Sequence, residues 1–372
     1  KEGKGCYLYT ESGDKYLDFV QGIATNILGH CHEHLIDAVQ KQSKKLWHVS
    51  NAFVIPDQER LAKRLTDNTF ADFVCFQNSG TEATEASIKI ARKYFHKTGK
   101  PEKNRIITFE GAFHGRTLAA MFSANNPKHI EGFGPKVDGF DQVPFADHEA
   151  IKKAINKNTA AIMLETIMGE GGIKVVPDFC IKGIRELCDE HEILLILDEV
   201  QCAYRTGNFF AFEKSGVNPD IVPIAKGIGG GFPLGACLVN KKVSVGMTPG
   251  THGSTFGGNP LAMAAGNAVL DIIFEKDFFK NVEKKGEYFQ DGLKKIKDKY
   301  PKIIEEIRGV GLIKGLKMLV DNDEFIKKLM NNKMLTVKAS ENVIRLFPPL
   351  IVSNKELDEA LVKIEKVCKE MS

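Results

Sequence analysis

Short runs of consecutive apolar residues recur along the middle of the chain and alternate with segments of helical periodicity. A strand that is apolar throughout is buried on both faces, and such strands separated by helices are typical of a parallel sheet covered on each side. The runs are F-V-C-F (73–76), R-I-I-T-F (105–109), A-I-M-L-E (161–165), I-L-L-I-L-D-E (193–199) and I-V-P-I-A (221–225). The chain is therefore predicted to have an α/β fold.

Apolar residues at helical spacing predict the helices between and after these runs. The predicted helices span residues 81–94, 178–191, 260–275 and 355–371. After about residue 285 the sequence changes to lysine-rich amphipathic helices and shorter strands. We therefore expect a large domain over 46–285 and a small domain formed by 1–45 together with 286–372.

The composition is that of an ordinary globular protein, with 43% hydrophobic and 27% charged residues and a net charge of +3. Lysines are spread through amphipathic segments and not gathered in blocks, which gives no reason to expect a nucleic-acid partner. No apolar run approaches the length of about 18 residues expected of a membrane span. We expect neither nucleic acid nor membrane among the partners.

The eight cysteines occur at irregular positions without a C-x-x-C pair, so neither a zinc ribbon nor a dithiol redox motif is supported. Free thiols inside apolar segments favour a reducing compartment, and we expect the protein to be cytoplasmic. The first residue is Lys1 and not methionine, so we expect further N-terminal residues, which leaves a targeting peptide open.

Polar residues stand where three of the predicted strands end. The segment Q-N-S-G-T-E-A (77–83) leads from a strand into a helix, as either an anion site or an ordinary helix cap. Asp198 in L-D-E-V-Q would be a helix cap, a metal ligand or the partner of a cationic ring nitrogen. Lys226 follows an apolar run and precedes four glycines in five positions, either in a tight loop or pointing into a site.

A single cofactor, pyridoxal 5′-phosphate, would use all three groups. This cofactor needs a lysine for its Schiff base, an acid at its pyridine nitrogen and an anion pocket for its phosphate. In parallel sheets, ligands bind at the carboxyl ends of strands, where these residues lie. A desolvated lysine also loses its proton more easily, which makes it a better nucleophile.

Other phosphate and metal sites fit the sequence less well. The P-loop pattern G-x-x-x-x-G-K-[ST] is absent. The glycines of 227–231 precede Phe232 and Pro233 and not a helix, which argues against a dinucleotide fingerprint. G-H-C-H-E-H (29–34) has no second ligand group of matching spacing, so we expect no metal.

With these residues in hand, the chain resembles the class III pyridoxal-phosphate aminotransferases over nearly its whole length. The resemblance implies a fold of type I, with a mainly parallel seven-stranded sheet in the large domain and a smaller α+β domain. The motifs that carry it are Y-L-D-F-V-Q-G-I-A-T-N-I-L-G-H (16–30), F-Q-N-S-G-T-E-A (76–83), F-H-G-R-T (113–117), E-T-I-M-G-E-G-G (165–172), L-D-E-V-Q (197–201), I-A-K-G-I-G-G-G-F-P-L-G-A (224–236) and H-G-S-T-F-G-G-N-P-L-A (252–262).

The resemblance implies a role for each matching residue at the cofactor. Lys226 would form the Schiff base and shuttle protons, and Asp198 would pair with the pyridine nitrogen. Gln201 would hydrogen-bond the ring hydroxyl, and Phe113 would stack on the ring. The remaining implied cofactor-binding residues are Ser79, Gly80, Thr81, His114, Glu199, Val200 and Thr255.

Substrate binding is implied for four further residues. Arg116 would bind the carboxylate end of N-acetylornithine, and Arg345 the α-carboxylate of glutamate or 2-oxoglutarate, since guanidinium suits bidentate carboxylate binding. Glu170 would neutralise Arg345 while the ω-amine donor is bound, and ordinary salt bridges are the alternative for these groups. Ser254 would lie near the substrate. Thr255 would come from the other subunit, which implies a homodimer with its sites at the interface.

The activity implied is amino transfer from N-acetyl-L-ornithine to 2-oxoglutarate, a step of arginine biosynthesis. Ornithine, N-succinyl-diaminopimelate and 4-aminobutyrate remain alternative donors, and an aminomutase or decarboxylase is a remoter alternative. Two departures from the family pattern are Glu33, in place of a proline, and a loop at 201–207 that is one residue shorter than usual.

Overall fold

The apolar runs form the centre of a seven-stranded sheet in the computed structural model, which describes all residues from 1 to 372. The strands are β1 (Glu2–Lys4), β2 (Tyr7–Tyr9), β3 (Lys15–Asp18), β4 (Phe73–Gln77), β5 (Arg105–Phe109), β6 (Phe140–Val143), β7 (Thr159–Glu165), β8 (Ile167–Met168), β9 (Lys174–Val175), β10 (Leu194–Asp198), β11 (Ile221–Ile224), β12 (Gly235–Val239), β13 (Ile304–Val310), β14 (Ile313–Met318), β15 (Met334–Leu335), β16 (Val337–Ala339) and β17 (Val343–Leu346).

Helices connect most of these strands, and two 3₁₀ turns, Ala211–Ser215 and Lys226–Gly229, lie between β10 and β12. The helices are α1 (Gln21–Ala24), α2 (Glu33–Ser43), α3 (Pro56–Asn68), α4 (Gly80–Lys97), α5 (Leu118–Ala124), α6 (Pro127–Ile130), α7 (His148–Ala154), α8 (Asp178–Glu190), α9 (Lys241–Ser244), α10 (Pro260–Ile273), α11 (Phe278–Lys299), α12 (Asn322–Asn331) and α13 (Asn354–Glu370). None of them has the length and apolar character that crossing a membrane requires.

The large sheet has the strand order β4-β12-β11-β10-β7-β5-β6. Neighbouring strands from β11 to β6 are parallel, whereas β12 runs antiparallel to both β11 and β4. The expected mainly parallel seven-stranded sheet is therefore confirmed. The carboxyl ends of β4, β5, β7, β10 and β11 meet at one edge of it.

The position of strand β10 in the sheet explains why its sequence is almost entirely apolar. Leu194 and Ile196 pack into a cluster with α4, while Leu195 and Leu197 pack into the larger cluster that includes residues of α8. All four side chains are fully buried, because helices cover both faces of the sheet.

The two ends of the chain lie together. Strand β3 pairs in parallel with β15, with Leu17 opposite Met334, so the N-terminal segment is hydrogen-bonded to the C-terminal region. A separate antiparallel sheet, β13-β14-β17-β16, carries Arg345 on β17. The predicted domain boundary at 285/286 falls inside α11 and not in a loop. The division into two domains stays a prediction.

Candidate active site

A cavity of about 430 Å³ opens at the edge where the parallel strands end. Strands β10 and β7 end here with Asp198 and Glu165. These two residues are directly opposite each other on the neighbouring strands. The predicted site residues in its wall are Ser79, Gly80, Thr81, Phe113, His114, Arg116, Asp198, Val200, Gln201 and Lys226. Ten of the predicted residues, from several separate segments of the chain, therefore face one cavity.

Lys226 begins the 3₁₀ turn after β11 and has a left-handed backbone, with φ of 48°. A non-glycine residue in this conformation is strained, and such strain is concentrated at functional sites. Burial lowers the pKa of Lys226 to about 8, although the carboxylates of Glu165, Asp198 and Glu170 act in the opposite direction. The amine is therefore easier to deprotonate than an exposed lysine.

Asp198 lies at the end of β10 and is nearly fully buried. Its Oδ2 is 2.7 Å from Nδ1 of the buried His114, and its Oδ1 accepts from the Val200 N–H at 3.0 Å. Burial alone would lower the pKa of His114, but the bond and charge of Asp198 outweigh it, and the pKa is raised. Asp198 and His114 thus form a charge-assisted pair in the wall of the cavity.

Glu165 also lines the cavity, although no role was predicted for it within the motif that it begins, E-T-I-M-G-E-G-G (165–172). Its carboxyl group accepts from the N–H groups of Phe113, at 2.9 Å, and Gly169, at 3.2 Å. Burial raises its pKa to about 7. The available signal was its position: Glu165 ends a predicted strand, as Asp198 does.

The N-terminus of α4 forms another part of the wall. Ser79 caps the helix by accepting from the Glu82 N–H, and the N–H groups of the first turn have no carbonyl partner within the helix. The hydroxyl oxygen of Thr81 accepts from the N–H groups of Arg116, at 2.9 Å, and Thr117, at 3.2 Å. Its own hydrogen remains free to donate. This end of α4 can bind an anion.

Arg345 and Glu170 form a direct ion pair beside this cavity. The Arg345 side chain is only 4% exposed, whereas that of Glu170 is 33% exposed. Glu170 lines a second cavity of about 410 Å³, and Phe113 belongs to the walls of both cavities. The pair predicted from the sequence is therefore formed in the structure.

Besides Glu170 and Arg345, three further predicted residues lie outside the Lys226 cavity wall. The Glu199 carboxylate is turned away and accepts from the Thr166 hydroxyl at 2.6 Å, and burial raises its pKa to about 7. Ser254 accepts a hydrogen bond from the Asn78 side chain at 3.1 Å, and its neighbour Thr255 is exposed. Within one chain, these residues are not part of the cavity.

The shortened loop at 201–207 turns into the protein after Gln201. Tyr204 has a φ of 71°, and both Tyr204 and Arg205 are fully buried. Arg205 donates to the carbonyl oxygens of Pro348, at 3.0 Å, and Leu312, at 3.3 Å. This part of the loop contributes no side chain to the cavity beyond Gln201.

Two of the three histidines in the segment 29–34 pair with aspartates, and none of the three lines this cavity. His30 is 2.7 Å from Asp18, and His34 is 2.9 Å from Asp271. Because the two side chains pair with different aspartates, they do not converge on one point.

Comparison with known proteins adds to this geometry. The family model described as "Aminotransferase class-III" matches residues 1–368. The chain belongs to the class III aminotransferase family. A curated protein of Agrobacterium fabrum named acetylornithine aminotransferase is 54% identical over 98% of this chain and 92% of its own. One of the same name from Caldanaerobacter subterraneus is 45% identical over 100% and 94%.

Solved structures agree on the fold. The ornithine aminotransferase from Toxoplasma gondii superimposes with a TM-score of 0.96 at 32% identity, covering 100% of this chain and 90% of its own. The N-acetylornithine aminotransferase from Stenotrophomonas maltophilia gives 0.87 at 33% identity, covering 100% and 95%. Because the two sequence identities are nearly equal, these structures support the class III fold. They do not show whether ornithine or N-acetylornithine is the amino donor of this protein.

Class III aminotransferases depend on pyridoxal 5′-phosphate, and the cavity fits this cofactor. The buried Gln201 Oε1 and His114 Nε2 have no hydrogen-bond partner within the chain. At Gly80, an added Cβ would lie 2.7 Å from Val200 Cγ1, so any larger residue would crowd the wall. A basic amine, a buried carboxylate and an anion-binding helix end therefore surround one space of suitable size.

Proposed function

We propose that this class III aminotransferase transfers the δ-amino group of N-acetyl-L-ornithine to 2-oxoglutarate. The products are N-acetyl-L-glutamate 5-semialdehyde and L-glutamate, and the reaction is a step of arginine biosynthesis. Support for the donor comes from the relatives at 45–55% identity over nearly their whole length, which bear the name acetylornithine aminotransferase.

The observation that carries the proposal is the unequal state of the two arginines. Arg345 is buried and neutralised by Glu170, whereas Arg116, at the cavity wall, has no acidic partner within the chain. A donor whose carboxylate is remote from its reacting amine needs a free cation at a distance and none beside the amine. Acetylornithine, with its carboxylate several carbons away from the δ-carbon, has that shape.

We propose the following roles at the cofactor. The N-terminus of α4, with Ser79, Gly80 and Thr81, would hold the phosphate. Asp198, fixed by His114, would hold a proton at the ring nitrogen, and Gln201 would accept from the ring hydroxyl. We also propose that Phe113, Val200 and, from the other subunit, Thr255 contact the cofactor.

Pyridoxal 5′-phosphate, when bound, supplies an aldehyde that condenses with amines and an electron-withdrawing ring that acidifies the adjoining carbon. Lys226 Nζ takes a proton from the amine-bearing carbon of the donor and later returns one. Its pKa near 8 suits both directions of transfer close to neutral pH. Glu170 releases Arg345 when 2-oxoglutarate, which carries its carboxylate next to the reacting carbon, replaces the first product.

Ornithine is the second candidate donor, because the Toxoplasma gondii ornithine aminotransferase superimposes with a TM-score of 0.96. A donor panel with 2-oxoglutarate decides between them. We expect acetylornithine to have the highest kcat/KM, followed by N-succinyl-diaminopimelate, ornithine and 4-aminobutyrate. If acetylornithine is among the poorest donors, the proposed substrate is wrong, although the family assignment stands.

The proposal includes a homodimer with its sites at the interface. Several of the large apolar side chains that one chain leaves exposed lie in residues 46–54 and beside Ser254 and Thr255: Leu46 (45%), Trp47 (66%), Phe53 (66%), Val54 (72%) and Phe256 (58%). Asn51 joins this surface to the Ser254 loop by donating to the Gly257 carbonyl at 2.9 Å. Such a patch is typical of a protein interface. Sedimentation should give twice the chain mass, and Trp47→Glu should shift the equilibrium towards monomer; a monomeric wild-type protein would refute it.

We also place the protein in the cytoplasm. All eight cysteines are free thiols, and six of them are buried. Buried free thiols are chemically stable in a reducing compartment. Fractionation of cells that express the full-length protein tests this assignment.

A further inference from the structure

His129 lies on α6, a short helix that follows the left-handed turn at Asn125. The cap of α6 is the side chain of Asn126, which accepts from the Lys128 N–H at 3.1 Å. The imidazole is half-buried and lines the second cavity, together with Phe113 and Glu170. None of the motifs that indicated the active site includes this residue.

His129 forms a closed group with two residues of the Lys226 cavity. Its Nε2 is 3.5 Å from Nη2 of Arg116. Its ring meets the Phe113 ring edge-on, with centroids 5.9 Å apart and an interplanar angle of 87°. The Arg116 guanidinium carbon is 5.3 Å from the centre of the same Phe113 ring. The orientation of the guanidinium thus depends on both neighbours.

The chemistry of the two side chains fixes which of them donates. A guanidinium has donors only, so Nε2 of His129 must be the acceptor and the imidazole proton must lie on Nδ1. Burial and the charge of Arg116 lower the pKa of His129, and Lys128 acts in the same direction, while Glu170 opposes them. The lowered pKa favours the neutral imidazole, which is able to accept.

We propose that His129 is a positioning residue that directs the free guanidinium of Arg116 towards the carboxylate of the amino donor. The proposal rests on the proposed function, in which Arg116 binds that carboxylate. His129 leaves the charge of Arg116 uncompensated, since a neutral imidazole removes none of it. Instead it limits the rotation of a long side chain, so less conformational entropy is lost when the donor binds.

The test compares two donors that differ only in this carboxylate: N-acetyl-L-ornithine and N-acetyl-1,4-diaminobutane. His129→Phe keeps the aromatic contact with Phe113 but removes the acceptor. We expect it to lower kcat/KM for acetylornithine about tenfold and to leave kcat/KM for the diamine within about twofold of wild type. His129→Gln, whose amide oxygen can accept from Arg116, should restore most of the loss.

The control is His191→Phe, at an exposed histidine after α8, which should leave kcat/KM unchanged for both donors. Equal loss with both donors, or no loss with acetylornithine, overturns the positioning role. Failure of His129→Gln to restore activity also overturns it. If the wild-type enzyme does not use acetylornithine at all, both the proposed function and the positioning role are wrong. If the wild-type enzyme does use acetylornithine, a negative result with the variants refutes only the role of His129.

Discussion

Two groups of charged residues around the Lys226 cavity are built in different ways. One group, which we call the carboxylate end, consists of His114, Glu165 and Asp198. Glu165 and Asp198 lie at the ends of neighbouring strands, and all three side chains are almost wholly buried. The arginine end consists of two pairs, Arg116 with His129 and Arg345 with Glu170. There, Arg116 is exposed and the Glu170 side chain is 33% exposed.

The difference decides which partners can be exchanged. Removing one partner of a buried pair such as Asp198 and His114 leaves an uncompensated charge, at a cost of about 3–5 kcal/mol. Glu170 reaches water, so its separation from Arg345 costs less, and an incoming carboxylate can replace it. In the proposed function, the carboxylate end therefore keeps one state through the reaction, while the arginine end accepts two different substrates in turn.

Of the substitutions that we consider, replacement of Lys226 should lower kcat the most, because this amine lies in the cavity that both groups of charged residues surround. Lys226→Ala removes the amine that we propose transfers the proton, and we expect kcat with acetylornithine and 2-oxoglutarate to fall more than about 10³-fold. Steady-state assays measure it, and Lys63→Ala, on the exposed face of α3, is the control. Wild-type turnover in Lys226→Ala would refute the role, as would borohydride labelling of another lysine in the wild-type enzyme.

Asp198→Asn tests the carboxylate end. The amide keeps the size of the side chain but loses the charge that faces His114, so kcat should fall about 10²–10³-fold and the cofactor should bind more weakly. The matched control is Asp220→Asn, since Asp220 is also buried and pairs with Arg185 at 2.8 Å, away from the cavity. That variant should lower Tm and keep kcat. A similar kcat in both variants would mean that the charge of Asp198 acts only on stability.

Glu170→Gln tests the arginine end. Without the carboxylate, Arg345 stays unneutralised, so donors that carry a carboxylate beside the amine should gain. We expect the ratio of kcat/KM for glutamate over acetylornithine to rise about tenfold. Glu305→Gln, which removes an exposed partner of Lys317, is the control and should leave the ratio unchanged. An unchanged ratio in Glu170→Gln would show that Arg345 and Glu170 form only a structural pair.

The centre of the fold could be predicted from sequence, because a short run of apolar residues bounded by turn residues is typical of a strand buried on both faces. The predicted run 105–109 coincides with β5, and the run 73–76 lies within β4. Strand β12 was not predicted. Its residues 235–239 follow the glycine-rich loop closely and pair antiparallel on both sides, which a rule for alternating strands and helices does not anticipate.

The position of a side chain at a strand end was a useful signal for the site, although not every such side chain faces the cavity. Asp198 faces the cavity, but Glu199 does not, because successive residues at the end of a strand point to opposite sides. The contact of Arg116 with His129 joins two irregular segments, whose geometry no periodic pattern specifies. At each end the sequence-based prediction missed one residue, Glu165 at the carboxylate end and His129 at the arginine end.

The smallest effect we predict concerns pH and the amine at the centre of the comparison. With the pKa of Lys226 at about 8, the neutral fraction of the amine rises as pH increases. The rate at which cofactor-free protein takes up pyridoxal phosphate, followed by the change in its absorbance, should rise about fivefold from pH 7 to 8 and less than about twofold from pH 8 to 9. A lysine with an ordinary pKa of about 10.4 would give about tenfold in each interval. That result would mean that burial at the carboxylate end does not activate Lys226, and the electrostatic contrast between the two ends would lose its link to the reacting amine.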